Sequence, residues 1–144
     1  CLDRFADQGT TFSSIALLQP TTPLREQARW AEAFAALREG ADSAIGVRAM
    51  VDHPWHALLR DTSGFVSPVR PAGENDVRSQ DLPEAVVPNG SLYLVTQACF
   101  ARTGRFLGDK CHGVHCRGEH ENIDIDTQDD WIEAEALAKR HIGP

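Results

Sequence analysis

The sequence predicts an α/β fold, and three stretches carry that prediction. Ser14-Ile15-Ala16-Leu17-Leu18 is a short apolar run that stops at Gln19-Pro20, with the length and composition of a buried parallel strand. Pro23 to about Glu39 reads as a helix, because Trp30, Phe34 and Leu37 recur at i, i+4 and i+7 and give it one apolar face. Ser43 to Val47 reads as a second strand. Strand, helix and strand in so short a span make a βαβ unit, whose crossover is expected to be right-handed.

Each element carries its own punctuation. Thr22 is a natural N-cap and Pro23 a natural first helical residue, and Gly40 closes the helix. From Asp52 to Pro88 the texture changes: five of the eight prolines fall between Pro54 and Pro88, with Gly64 and Gly73 among them. Short strands are expected there around Phe65-Val66 and Pro68-Val69, and polar residues gather at the end in Arg78, Ser79, Gln80 and Asp81. Irregular stretches of this length inside a compact domain are functional or mobile. Pro88-Asn89-Gly90 reads as a turn and Ser91 to Val95 as a strand that includes Tyr93. Thr96 is expected to cap a short helix through Ala101, which Gly104 stops.

Cys111-His112-Gly113-Val114-His115-Cys116 holds the ligand types of a zinc site. Four such residues in six are tighter than paired-knuckle spacing, and a strand would point alternate side chains apart, so a plain strand about Val114 is the stronger reading. The last helix starts at Thr127, with Asp130 three residues on as a capping-box variant. Asp129 and Asp130 suit the positive end of the helix dipole, and Trp131, Ala134 and Ala138 mark a packed face.

Two places invite a ligand. In α/β folds ligands sit at the carboxyl ends of the strands, where Gln19, Thr21 and Thr22 fall. Their neutral donors and acceptors suit a sugar or base edge, and a capping turn with no ligand accounts for them equally. The second place is Asn122 to Thr127. A strand there turns Ile123 and Ile125 one way and Asp124 and Asp126 the other. Two carboxylates so close fit either a shared cation or open solvent. An oxygen-only pair suits Mg²⁺ held jointly with a substrate phosphate.

The chain as a whole sets bounds. Its 144 residues are one domain's worth, with a real core. A net charge of −7 argues against a nucleic-acid polymer as partner. No apolar run reaches the roughly 18 residues of a membrane span. The four cysteines (Cys1, Cys99, Cys111 and Cys116) show no framework spacing, which points to a reducing, cytoplasmic setting. The first residue is Cys1, and Leu2 and Phe5 look like the end of a helix, so an N-terminal portion outside this sequence is expected.

Three segments together resemble one family, the N-acylneuraminate cytidylyltransferases or CMP-sialic acid synthetases. Leu18-Gln19-Pro20-Thr21-Thr22-Pro23-Leu24-Arg25 is similar to their LQPTSPLR segment. Gln80-Asp81-Leu82-Pro83 followed by Pro88-Asn89-Gly90-Ser91-Leu92-Tyr93 is similar to their Q-[DQ]-L-P…P-N-G-[AS]-[IL]-Y block. Asn122 to Thr127 resembles their terminal strand with two aspartates. The resemblance covers most of the chain and keeps the family's order.

The resemblance implies a Rossmann-like three-layer nucleotidyltransferase fold with an inserted dimerisation segment at roughly 69–116, and an enzyme that moves CMP from CTP to an acidic nine-carbon sugar. It implies that Gln19 and Thr21 line the sugar pocket, that Gln80 and Asn89 hydrogen-bond the sugar, and that Tyr93 packs on it, with Arg78, one position off the family's basic residue, as a further substrate-binding candidate. Asp124 and Asp126 would hold Mg²⁺, and Phe106 would reach the neighbouring subunit's sugar site in a homodimer. The QPTTPLR form argues against the eight-carbon branch of the family. The family's glycine-rich basic loop of the L-A-R-G-G-S-K type is not in this sequence, so residues 1–144 are expected to be the C-terminal two-thirds of a cytidylyltransferase domain, with the first strands of the sheet missing. Ser79 and Val86 are smaller departures. The alternative is a truncated, non-catalytic module that binds sugar or dimerises without binding CTP.

Overall fold

The structure is a computed structural model that describes residues 2–69 and 81–141. In chain order its elements are α1 (Leu2–Ala6), β1 (Ser14–Leu17), α2 (Gln27–Arg38), β2 (Ser43–Ala49), β3 (Leu58–Arg60), β4 (Val66–Pro68), β5 (Val86–Thr96), α3 (Gln97–Thr103), β6 (Cys111–His115) and α4 (Gln128–His141), with 3-10 turns at Pro54–His56 and His120–Asn122. They divide into two compact units, Cys1–Arg48 with Pro88–Pro144, and Ala49–Val87.

Burial in the first unit is most continuous along β2, as its run of small and branched residues predicts. The sheet has the order β1-β5-β2-β6. β2 and β6 pair in parallel, and β1 pairs with β5 antiparallel, Ser14 opposite Thr96 and Leu17 opposite Tyr93. The fold is therefore α/β with a mixed sheet. The expected buried parallel strand at Ser14–Leu18 is an edge strand instead. β5 lies between β1 and β2, and among the described residues β1 has no neighbour on its other side, so Leu17 and Leu18 stay exposed.

One core cluster joins Ala33 of α2 to Ala44, Leu92, Leu94 and Val114 of the sheet, with Trp30 and Leu37 at its margin. The centre of the helix face is thus an alanine, which lets the backbone approach the sheet closely. Phe34 stays 40% exposed. A second cluster packs Ala134 and Leu137 of α4 on Leu24 and Ile123, with Ile125 and Ala138 beside them. The α4 face is rotated from the expected one, with Leu137 at its centre and Trp131 half exposed.

Several boundaries differ for identifiable reasons. α2 begins at Gln27, not Pro23, because Thr22 and Arg25 are taken up in tertiary hydrogen bonds described below, and the N-cap is Glu26 without a side-chain cap bond. Its end is as expected, with Gly40 at φ 100°. Pro88-Asn89-Gly90 is not a turn: β5 runs through it, with Gly90 at φ 79°, a backbone that glycine tolerates. Residues 123–127 are not a strand. They follow a 3-10 turn without a sheet partner, extended at Ile123 and bent at Asp126 and Thr127, and the alternation of the sequence survives as buried Ile123 against exposed Asp124 and Asp126. α3 and α4 start as read: Thr96 Oγ1 accepts from Cys99 N–H at 3.2 Å, and Thr127 Oγ1 accepts from Asp130 N–H at 3.2 Å.

The second unit holds the β3–β4 hairpin, Leu58 opposite Pro68 and Arg60 opposite Val66. Asp61 Oδ1 accepts from the N–H groups of Ser63 and Phe65 at 2.9 and 3.0 Å and sets the turn, with Gly64 at φ 94°.

Candidate active site

The stretches Leu18 to Arg25, Pro88 to Tyr93 and Asn122 to Thr127 are distant along the chain and adjacent in space. Gln19 to Arg25 follows β1, where a strand end opens into a loop. Thr22, buried, donates its hydroxyl to Gly90 O at 3.0 Å. Arg25 donates Nε–H to Ser91 O at 2.9 Å, and its other nitrogen to Gln19 O. The first segment is thereby fastened to the second. Gln19 lies against Gly90 so closely that a Cβ there would sit 2.5 Å from Gln19 Oε1. Thr21 O accepts Ile125 N–H at 2.8 Å, which fastens the first segment to the third.

Asn89 joins the second segment to the third. Its Nδ2 donates to Glu121 O at 3.0 Å and Asn122 Oδ1 at 2.9 Å, and its Oδ1 accepts from Ser91 N–H at 3.2 Å and the Ser91 hydroxyl at 2.8 Å. Both amide hydrogens and both lone pairs are used internally, so this buried residue shapes the site rather than presenting a free group to it. Asn122 in turn donates to Cys116 O at 2.9 Å and Gly118 O at 2.8 Å.

Beneath this junction the buried Glu121 pairs with the partly exposed Arg29. Glu121 is 2% exposed and takes a forked bond from Arg29, at 2.6 and 3.0 Å, plus Gly118 N–H at 2.9 Å. Burial alone would raise the Glu121 carboxyl, but the Arg29 fork, the Gly118 N–H and the charges of Arg29 and His120 together hold it below the ordinary glutamate value. The same fork raises Arg29. Arg25, whose partners are all neutral, is lowered by burial. Sequence reading missed Arg29 and Glu121. They stand 92 positions apart, and neither breaks a local pattern.

Asp124 and Asp126 are exposed, and among the described residues neither side chain makes a hydrogen bond or ion pair. Asp126 N–H, Thr127 N–H and the Thr127 hydroxyl converge on Asp130 Oδ2 at 3.1, 2.7 and 2.8 Å, and these bonds lower the Asp130 carboxyl. No group of three or more His, Cys, Asp or Glu among the described residues is arranged to hold a metal ion. The two carboxylates stand two positions apart on one short segment and are without cationic partners among the described residues.

Tyr93 meets Phe106 edge-on at 6.3 Å, and Phe106 meets Phe100 at 5.2 Å, so Phe106 packs within its own chain. Arg78 and Gln80 lie outside the described residues. The Cys-His segment is the expected strand about buried Val114. His112 pairs with Glu32 at 3.1 Å and buried Cys116 lies against the Ser91 hydroxyl at 3.5 Å, so these two side chains reach separate partners.

No family model matches the chain. It is 26% identical over 137 residues to CMP-N,N'-diacetyllegionaminic acid synthase of Legionella pneumophila, covering 94% of this chain and 58% of that protein. It is 26% identical over 117 residues to the N-acylneuraminate cytidylyltransferase of Streptococcus agalactiae serotype III, covering 81% of this chain and 28% of that protein. The chain thus spans 28–58% of the length of these relatives. Among solved structures it resembles the 4-diphosphocytidyl-2C-methyl-D-erythritol synthase of Anaerococcus prevotii, with a TM-score of 0.57 and 17% identity, over 95% of this chain and 65% of that one. That likeness is one of fold, and it agrees with the nucleotidyltransferase-like α/β architecture. The curated relatives carry the activity names of the family that the sequence motifs resemble.

Proposed function

We propose that the chain is part of a cytidylyltransferase that joins CMP, from CTP, to the anomeric hydroxyl of an acidic nine-carbon sugar and releases pyrophosphate. The observation that carries this reading is the meeting of the three motif segments through Thr22–Gly90, Asn89–Asn122 and Thr21–Ile125. In the reaction the hydroxyl oxygen forms a bond to the α-phosphorus of CTP, the bond from that phosphorus to the β-phosphate oxygen breaks, and the hydroxyl proton leaves to solvent. Such a transfer depends on alignment and charge neutralisation. Gln19 and Thr21 orient the sugar and Tyr93 packs on it. Asn89 holds the strand that carries Tyr93. Mg²⁺, held by Asp124 and Asp126, would neutralise phosphate charge and lower the acceptor hydroxyl's pKa.

Among the described residues no helix is long and apolar enough to cross a membrane. Free Cys99, Cys111 and Cys116 support a reducing, cytoplasmic setting. A homodimer is part of the proposal, since exposed apolar side chains gather on the hairpin beside the segment read as dimerising.

The test is a CMP-transfer assay of the whole protein with a panel of acidic sugars, beside calorimetric titration of this chain with CTP and with each sugar. Mg²⁺-dependent transfer to nine-carbon acids supports the proposal. Sugar binding without CTP binding or transfer by the whole protein would instead establish a non-catalytic sugar-binding module.

A further inference from the structure

We infer that His120 and His141 form a pH-sensitive latch: their stacked rings hold the last turn of α4 on the 3-10 turn at His120–Asn122 while at most one ring is charged, and part when both are. The two rings lie face to face, with centroids 4.0 Å apart and planes 29° from parallel. They belong to different elements, so the stack is a tertiary fastening. The His120 side chain is only 12% exposed, and its Nε2 meets Glu26 Oε1 at 2.8 Å. The ring lies hard against Gly118, where a Cβ would sit 2.6 Å from its Cε1 and 2.9 Å from its Nδ1. Its Nδ1 is buried without a hydrogen-bond partner among the described residues. His141 is exposed and ends the helix, so its ring is free to turn into water.

The charges around the pair decide which proton states the docked form accepts. With both rings neutral, His120 Nε2–H donates to Glu26, and bare Nδ1 is left without a donor, an unmade bond that weakens docking. A first proton, on His120, turns the Glu26 contact into an ion pair. A second, on His141, sets two positive rings 4.0 Å apart. The neighbouring carboxylates are already paired and offset little of that repulsion. Glu121 of the turn holds Arg29 of α2 and Gly118 N–H, and Glu119 faces Arg140 of α4 at 4.0 Å. Exposed Lys139 of α4 adds positive charge. The docked form therefore binds one proton fewer than the released form, and docking weakens as pH falls through the range in which histidines titrate. The turn that the latch braces carries Glu121 O and Asn122 Oδ1, both of which receive Asn89 Nδ2, so release also loosens that junction.

The experiment measures amide hydrogen-exchange protection of Lys139, Arg140 and His141 by NMR between about pH 7 and about pH 5. Glu121, held below the ordinary glutamate value, stays ionised in that range, which keeps its pairing with Arg29 out of the signal. In the native chain, protection is expected to fall about tenfold on acidification. His141→Phe keeps a stacked ring that cannot be charged, and its protection is expected to stay within about twofold. Glu26→Gln removes the carboxylate that faces His120 and is expected to move the fall to higher pH. Amides of β2 and β6 are expected to keep their protection throughout, which marks the change as local release. The inference is overturned if native protection is constant, if His141→Phe falls as the native chain does, if Glu26→Gln leaves the fall where it was, or if the sheet amides lose protection in step with α4.

Discussion

At the scale of the residue, what matters is which groups are free and which are used up. Asp124 and Asp126 are free and Asn89 is not, although all three stand in motif positions. Replacing Asp124 or Asp126 by Asn keeps the shape and removes the charge that the proposed reaction assigns to Mg²⁺ binding. We expect Mg²⁺-dependent transfer by the whole protein to fall by about a hundredfold or more, with the melting temperature nearly unchanged because both side chains are exposed and unpartnered among the described residues. Gly90 makes the opposite case. At φ 79°, with Gln19 Oε1 2.5 Å from where a Cβ would go, Gly90→Ala meets both backbone strain and a clash. It should cost about 1–3 kcal/mol, measured as a lower urea midpoint at unchanged slope. Its effect on sugar affinity should exceed that of Asn89→Asp, because Gly90 touches Gln19 directly.

At the scale of the element, the Arg29–Glu121 pair ties the first turns of α2 to the turn before the acidic segment. Arg29→Ala leaves the buried Glu121 carboxylate with Gly118 N–H and whatever water enters from the exposed side of Arg29, at a cost of about 1–3 kcal/mol. The pH dependence has a definite sign. Because the folded Glu121 carboxyl lies below its ordinary value, its stabilisation is full above the unfolded glutamate pKa of about 4.3 and is lost as pH falls through the folded value below that. The melting-temperature gap between the native chain and Glu121→Gln should be widest above about pH 4.3 and should narrow as the solution is acidified further. A constant gap would show that the pair is not linked to protonation. Periodicity in the sequence revealed β2, α3, β6 and α4 closely, because burial, caps and glycine stops act locally. It misjudged the start of α2, where Thr22 exchanges capping for a tertiary bond to Gly90 O. It took Pro88-Asn89-Gly90 for a turn, although strand pairing overrode that local preference. The acidic residues were legible as an alternating pair and Asp130 as a capping residue, whereas the Arg29–Glu121 pair is a contact across 92 positions, which no local pattern records.

At the scale of the whole molecule, the open question is assembly. The unit Ala49–Val87 carries a two-stranded hairpin, and an isolated hairpin is at best marginally stable in water. Leu58, Leu59, Phe65, Val66 and Val69 on and beside it are all more than half exposed. By the pairing register Leu58 and Val66 share one face of the hairpin and Leu59 lies on the other, so exposed apolar side chains stand on both faces. A second copy of the chain is the partner that the dimer proposal requires, and covering these side chains would bury apolar surface at about 25 cal/mol per Å². Leu59→Glu with Phe65→Glu should therefore convert a dimer to a monomer in sedimentation equilibrium. Because both side chains are exposed within the chain, the unfolding midpoint measured well below the dimer dissociation constant should hardly move. If the whole protein keeps its CMP transfer while the double variant is monomeric, each subunit builds its site alone, in keeping with Phe106 packing on Tyr93 and Phe100 of its own chain. If transfer falls with dissociation, the partner subunit completes the proposed sugar pocket.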